Sequence, residues 1–186
     1  MPHYVFLCTG NAARSVMAGA ILAAHVPEAE VQNIEITTAG THVIEGMPMS
    51  WRTRAALTGL ELDVPGHRST QLRGGHVESA DLVVGLAGEH VAYVRRVHPE
   101  AAARTATLRR LARDLPGIRG SLTERVAALG LADVTLEPWE DVIDPAGGDL
   151  PEFEACARDI HELLGRLVAV LAPSVGATAA RDGEGA

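Results

Sequence analysis

The sequence predicts an α/β domain with a central parallel sheet, and three observations carry that reading. Short, wholly apolar runs recur along the chain, longer stretches of helical periodicity follow them, and Gly, Asn or Pro marks the junctions. His3 to Leu7 is the first strand, because Tyr4, Val5, Phe6 and Leu7 form the unbroken apolar run of a strand buried on both faces. It stops at Thr9-Gly10-Asn11. Residues 13–26 then read as a helix, with Met17, Ala20, Ile21 and Ala24 on one face.

Ile34, Ile36 and Thr38 alternate as a second strand, closed by Ala39-Gly40. Residues 51–60 are helical, and Pro65-Gly66 lies in the loop beyond. Residues 80–86 (ADLVVGL) form a third buried strand, followed by a helix over 89–97. Thr105 to Leu108 is a short fourth strand. A turn-rich stretch follows, with 122–129 as its helix. Residues 153–171 make the clearest helix, with Ala157, Ile160, Leu164, Leu167 and Leu171 on one face and Pro173 after it. The expected architecture is therefore one domain over residues 1–172, a four-stranded parallel sheet with helices on both faces. Residues 173–186, small, polar and Gly-rich, are expected to form a flexible tail.

Composition narrows the function. A chain of 186 residues suits one compact domain, burying roughly 70% of its unfolded surface. Its 24 acidic and 16 basic residues give a net charge of −8, which argues against a general nucleic-acid binder. No apolar run approaches a membrane span, and MPHYVFLC lacks the basic start of a signal peptide, so a cytoplasmic location is expected. Two cysteines 148 positions apart, Cys8 and Cys156, form neither a disulfide framework nor a zinc pattern. Histidines 3, 25, 42, 76, 90, 98 and 161 show no metal-ligand spacing, so neither metal nor cofactor is expected. Residues 133–162 carry ten acids and one arginine, while 95–113 carry six arginines; both are read as solvated faces.

The chemistry concentrates in Cys8-Thr9-Gly10-Asn11-Ala12-Ala13-Arg14-Ser15, between a buried strand and a helix. A turn in that place aims backbone N–H groups into a concave nest, and the helix adds its positive end, so the loop suits an anion. A thiol in that field is stabilised as the nucleophilic thiolate. Arg14 supplies a planar fork for two phosphoryl oxygens, and Ser15 can donate a hydrogen bond to the sulfur. Gly10 permits tight curvature, and Asn11 tolerates an unusual backbone conformation. The blander reading, an inert buried thiol near a surface arginine, explains neither the Gly-Asn pair nor the adjoining serine.

VFLCTGNAARS resembles the active-site loop of the low-molecular-weight protein tyrosine phosphatases. Thr38-Ala39-Gly40-Thr41 is similar to their Ser-Ala-Gly-Thr loop, Gly66-His67-Arg68-Ser69 to their His-x-Ser segment, and residues 80–84 to their third-strand motif. Asp141-Val142-Ile143-Asp144-Pro145 resembles the loop that carries their general acid. The resemblance covers residues 3–171 in the family's order. It implies that Cys8 attacks phosphorus to form a phosphocysteine and that Arg14 and the amides of residues 9–15 bind the phosphoryl oxygens. Asp144 would act as acid, then base. Asn11, Ser15, Thr38 and His67 would supply the supporting hydrogen bonds. On its own, without the cysteine loop, Asp144-Pro145 reads as a turn opener before it reads as a general acid.

Some positions depart from the family pattern. Ala13 and Val16 stand where many members have cysteine and proline, which removes an intraloop disulfide. Ala146-Gly147-Gly148 replaces the aromatic residues that often follow Asp-Pro. Ala12 is neither the bulky aliphatic residue of tyrosine phosphatases nor the threonine of bacterial protein-arginine phosphatases. The stretch 144–148 resembles the arginine-phosphatase branch more closely.

The first expectation is hydrolysis of protein phosphotyrosine. Protein-arginine phosphatase or small-metabolite phosphatase is the alternative, with a phosphorylated protein or small phosphomonoester as substrate. Arsenate reduction needs a resolving thiol, and Cys156 is expected to lie far from Cys8. A phosphate-binding module without catalysis would lack one of Cys8, Arg14 or Asp144, and all three are present. Oligomeric state is left open.

Overall fold

The strand leading into the cysteine loop lies inside the sheet, flanked on both sides. The computed structural model describes residues 1–26 and 33–171. Its strands are β1 (His3–Cys8), β2 (Glu35–Gly40), β3 (Leu82–Gly85) and β4 (Thr105–Thr107). They run in the order β2-β1-β3-β4, and every pairing is parallel. The order reverses at β1, so the crevice beyond the carboxyl ends of β1 and β3 is the place where such sheets bind ligands. Residues 9–13 sit there.

Among the described residues seven α-helices accompany the strands: α1 (Arg14–His25), α2 (Trp51–Thr58), α3 (Gly74–Glu78), α4 (Gly88–Val97), α5 (Leu108–Asp114), α6 (Leu122–Ala128) and α7 (Leu150–Leu171). Strand alternation divides the core into two layers. Tyr4, Phe6, Cys8, Leu82 and Val84 face α1 and α7, where Met17, Ile21, Ile160 and Leu164 complete one cluster. Val5, Leu7, Ala39 and Val83 face the other way, against Val77 and Val94. The Tyr4 hydroxyl donates to the Leu171 carbonyl and ties β1 to the end of α7.

Several elements differ from the sequence reading. β2 continues through Ala39-Gly40, because Gly40 pairs in register with Cys8 and is a ladder residue rather than a stop. α1 starts at Arg14, and α7 starts three residues early, at Leu150. α5 was unforeseen. Thr107 caps it by accepting from Arg110 N at 3.2 Å, and Leu108, Leu111, Ala112 and Leu115 are buried at helical spacing. Its arginines hid that stripe. The short α3 was also unforeseen, since Gly-Gly opens it. The proposed tail, 173–186, lies outside the described residues.

Candidate active site

The loop between β1 and α1 is shaped by what holds its carbonyls. Cys8 O accepts from Thr41 N and Thr9 O from His42 N, each at 2.9 Å. Asn11 O accepts from His67 Nε2 at 2.8 Å and from Ser69 Oγ at 3.0 Å. Ala12 O accepts from Thr53 Oγ1 at 2.9 Å. Four carbonyls are thus bonded to surrounding segments. In a trans peptide the N–H points opposite to the C=O, so the amides of Thr9, Gly10, Ala12 and Ala13 turn away from those partners, towards the inside of the loop. The N-terminal end of α1, with no side-chain cap at Ala13, adds its unpaired N–H groups.

Asn11 makes the curve possible. It is fully buried with φ of 49°, in the left-handed region that asparagine enters more easily than most residues. Its Oδ1 accepts from Thr70 N at 2.9 Å, which fixes the amide's orientation. Nδ2 therefore donates to Ser15 Oγ at 3.0 Å, and the serine hydrogen is free to point at Cys8 Sγ, also 3.0 Å away. Gly40 is equally constrained. A Cβ there would sit 2.5 Å from Thr9 O and 2.9 Å from Asn11 N.

Arg14 is buried, and its guanidinium reaches Asp144 Oδ2 at 2.6 Å, Val142 O at 3.4 Å and Thr9 Oγ1 at 3.5 Å. Asp144 stands on the loop after the 3₁₀ turn Pro138–Glu140, its carboxyl half-exposed. Ala146 N donates to its Oδ1 at 3.0 Å, so the turn that proline initiates also aims the side chain. Asp141 has a different task. Its Oδ1 accepts from Gly88 N at 2.7 Å at the start of α4, and Val142 N bonds Leu86 O at 2.9 Å. Together they anchor the loop to the end of β3.

The structure brings Cys8, residues 9–13, Arg14, Ser15 and Asp144 together, and His67 holds the loop from its outer side through Asn11 O. Thr38 stays apart. It pairs with Phe6, two rungs before the loop, and its methyl lies where a Gly19 Cβ would be, at 2.6 Å. No hydrogen bond joins its hydroxyl to the loop among the described residues, so the expected supporting role falls instead to Thr53, Ser69 and Thr70. Ser69 was present in the His-x-Ser segment, whereas Thr53 lies inside a helix and carried no signal. Cys156 also needs correcting. It is buried in the same core cluster as Cys8 rather than remote from it. Burial pushes its thiol up to about 12, and the charges of Arg14, Asp159, Asp144 and Cys8 all reach it.

His90 was another residue the sequence did not single out. It is fully buried on α4, with Nε2 3.1 Å from Thr9 Oγ1. Burial, helped by the nearby Arg14 charge, lowers its pKa to about 3, so the ring is neutral at physiological pH. Among the described residues no group of three His, Cys, Asp or Glu side chains could hold a metal ion, and no helix is long and apolar enough to cross a membrane.

The sequence and fold have known counterparts. The family model for low molecular weight phosphotyrosine protein phosphatases matches residues 3–124. A low molecular weight protein-tyrosine-phosphatase of Streptomyces coelicolor is 32% identical over 182 residues, covering 94% of this chain and 96% of its own. A protein-arginine-phosphatase of Geobacillus stearothermophilus is 27% identical over 168 residues, covering 90% and 95%. The solved structure of the arginine phosphatase YwlE from Geobacillus stearothermophilus superposes with a TM-score of 0.70 at 27% identity, over 90% of this chain and 91% of that one. A low molecular weight protein tyrosine phosphatase from T. tengcongensis gives 0.69 at 26% identity, over 90% and 98%. With the loop, the sheet order and the sequence match in agreement, the chain belongs to the low molecular weight phosphotyrosine protein phosphatase family.

Proposed function

We propose that the protein hydrolyses phosphorylated protein side chains, phosphotyrosine first among them, through a phosphocysteine at Cys8. The observation that carries this is the outward bonding of the carbonyls of residues 8, 9, 11 and 12, which leaves inward amides around a buried cysteine sulfur. Such a cradle fits the three equatorial oxygens of a phosphoryl group, and Arg14 adds a fork of matching geometry.

Cys8 Sγ attacks phosphorus in line, and the bond to the leaving oxygen breaks as Asp144 delivers its proton. The phosphoryl oxygens take over the Arg14 guanidinium, which releases the Asp144 carboxyl for that transfer. Asp144 then removes a proton from water as it attacks the phosphocysteine, and the thiolate and inorganic phosphate are regenerated. The Ser15 hydroxyl stabilises the sulfur's charge at both ends of the cycle. A cysteine that must stay reduced suits the cytoplasm.

Phosphotyrosine is supported by two exposed apolar side chains, Trp51 and Ile143, on the segments that reach the loop through Thr53 and Asp144. Phosphoarginine is the second reading. It is favoured by Ala146 in place of an aromatic residue after Asp144-Pro145 and by an arginine phosphatase that matches nearly end to end.

The test is turnover of an aryl phosphate followed by quenching and mass spectrometry of the Cys8 peptide. A mass increase of one phosphoryl group on Cys8, lost in Cys8→Ser together with turnover, is the expected result. Retention of more than about a tenth of the rate in Cys8→Ser would remove Cys8 as nucleophile.

A further inference from the structure

Beside the phosphate loop, at the start of α4, a carboxylate is held by one of the loop's own hydroxyls. Glu89 Oε1 lies 3.2 Å from Thr9 Oγ1 and 3.3 Å from His90 Nε2, and the rest of its side chain is open to solvent. A carboxylate has no hydrogen to give, so Thr9 is the donor of the Thr9–Glu89 bond, and His90 stands beside it. Its Nδ1 is buried with no partner among the described residues, while Nε2 is 3.1 Å from Thr9 Oγ1. A buried N–H without an acceptor is costlier than an unfilled lone pair, so the ring's one proton sits on Nε2, which faces both Thr9 Oγ1 and Glu89 Oε1. Arg14 also donates weakly to Thr9 Oγ1, at 3.5 Å. Thr9 gives its hydrogen to the Glu89 carboxylate, so the loop hydroxyl and the His90 ring together hold Glu89 Oε1 beside the phosphate loop. The first turn of a helix also favours a negative charge there.

We infer that Glu89 is a specificity-determining residue, a negative charge at the rim of the phosphate site that raises kcat/KM for phosphorylated side chains with a cationic leaving group relative to aryl phosphates. The inference rests on the phosphatase reading of the loop and deepens it. A phosphoryl dianion entering the cradle is repelled by a carboxylate tethered to Thr9. That repulsion is offset when the atoms next to the phosphoryl group carry a positive charge, as in a phosphorylated guanidinium. A phenyl ring offers no such compensation. Glu89 neither gives nor takes a proton in the reaction, so its effect belongs in KM more than in kcat.

The experiment compares wild type, Glu89→Gln and Glu89→Asp on matched phosphoarginine and phosphotyrosine peptides. Glu89→Gln should lower the phosphoarginine-to-phosphotyrosine ratio of kcat/KM by about fivefold, the range of a single solvent-exposed charge pair. The KM for phosphotyrosine should fall in that variant, the shift should shrink at high salt, and Glu89→Asp should keep most of the wild-type ratio. An unchanged ratio in Glu89→Gln, or equal losses on both peptides, overturns the inference and leaves the phosphatase reading standing. So does a wild-type enzyme that cleaves phosphotyrosine but not phosphoarginine. Absence of turnover on every phosphorylated substrate, the aryl phosphate included, overturns both.

Discussion

Ser15 Oγ stands 3.0 Å from Cys8 Sγ, and its hydrogen is directed there because Asn11 Nδ2 already donates to the same oxygen. A hydroxyl committed in this way stabilises negative charge on sulfur without reorganising during the reaction. In the proposed cycle negative charge develops on the sulfur as phosphorus leaves it.

Ser15→Ala should therefore slow the breakdown of the phosphocysteine more than its formation when the substrate has a good leaving group. The expected signature is a burst of nitrophenolate followed by a steady rate reduced about tenfold or more, corresponding to about 1.4 kcal/mol or more. Stopped-flow absorbance measures both phases. A uniform fall without a burst would show that Ser15 acts on loop shape alone.

Asp144 and Asp141 divide two tasks that their spacing does not distinguish. Asp144 Oδ2 reaches Arg14, whereas Asp141 Oδ1 is occupied by Gly88 N. Asp144→Asn should slow formation of the phosphocysteine strongly for poor leaving groups and little for nitrophenolate, which departs without protonation, while slowing breakdown of the common intermediate for every substrate. Asp141→Ala should leave the leaving-group dependence intact and cost about 1 kcal/mol of stability through loss of the bond to α4. A leaving-group series, with a denaturant melt for each variant, separates the two. Reversal of the pattern would identify Asp141 as the acid.

What the sequence made legible was local. β1, the loop and α1 could be read in order because an apolar run, a Gly-Asn turn and a helical stripe follow one another within residues 3–25. The partners of the loop could not, because Thr53, Ser69 and Thr70 are ordinary hydroxyl residues whose role comes from packing distant segments against Asn11 and Ala12. Thr38 misled for a related reason. Strand register, invisible in sequence, sets it two rungs before the loop. The charge-segregated segments were read as two solvated faces, yet they partly pair with each other. Arg109 meets Asp159 at 2.6 Å, Arg110 binds the buried Glu140, and Arg95 donates to the carbonyls of Leu131 and Val134. Cys156 was placed far from Cys8 by its distance along the chain, but α7 folds back across α1 and brings it into the same cluster.

His90 makes stability depend on pH in a defined direction. Its pKa is lowered from 6.5 to about 3, chiefly by burial. Between those values the unfolded chain binds a proton that the folded protein refuses. This contribution to stability is fully present above about pH 6.5 and declines as pH falls towards 3, with a limiting slope of about 1.4 kcal/mol per pH unit. His90→Gln retains a side-chain amide able to donate to Thr9 and removes the titration. Denaturant unfolding between pH 7 and pH 4 should show a shallower slope for His90→Gln, by nearly one proton over the middle of that window. Parallel slopes would mean that His90 is protonated in the folded state.

Ala12 is expected to border the leaving group. Its carbonyl is pinned by Thr53, so the residue is fixed at the far side of the loop from the strand, with its methyl only half-buried. A methyl supplies little contact to a phenyl ring and no hydrogen bond to a guanidinium, so weak discrimination is expected at this position. Each methylene added against an aryl group contributes about 0.8 kcal/mol when buried. Ala12→Ile should therefore improve kcat/KM for phosphotyrosine peptides about tenfold, or about 1.4 kcal/mol. Ala12→Thr should move the preference towards phosphoarginine, because a hydroxyl can accept from the guanidinium N–H groups. Both substitutions keep the backbone carbonyl that Thr53 holds, so the loop should survive them. Steady-state kinetics on the two peptides decides the matter, and a substrate ratio unchanged by either substitution would take Ala12 out of the leaving-group pocket.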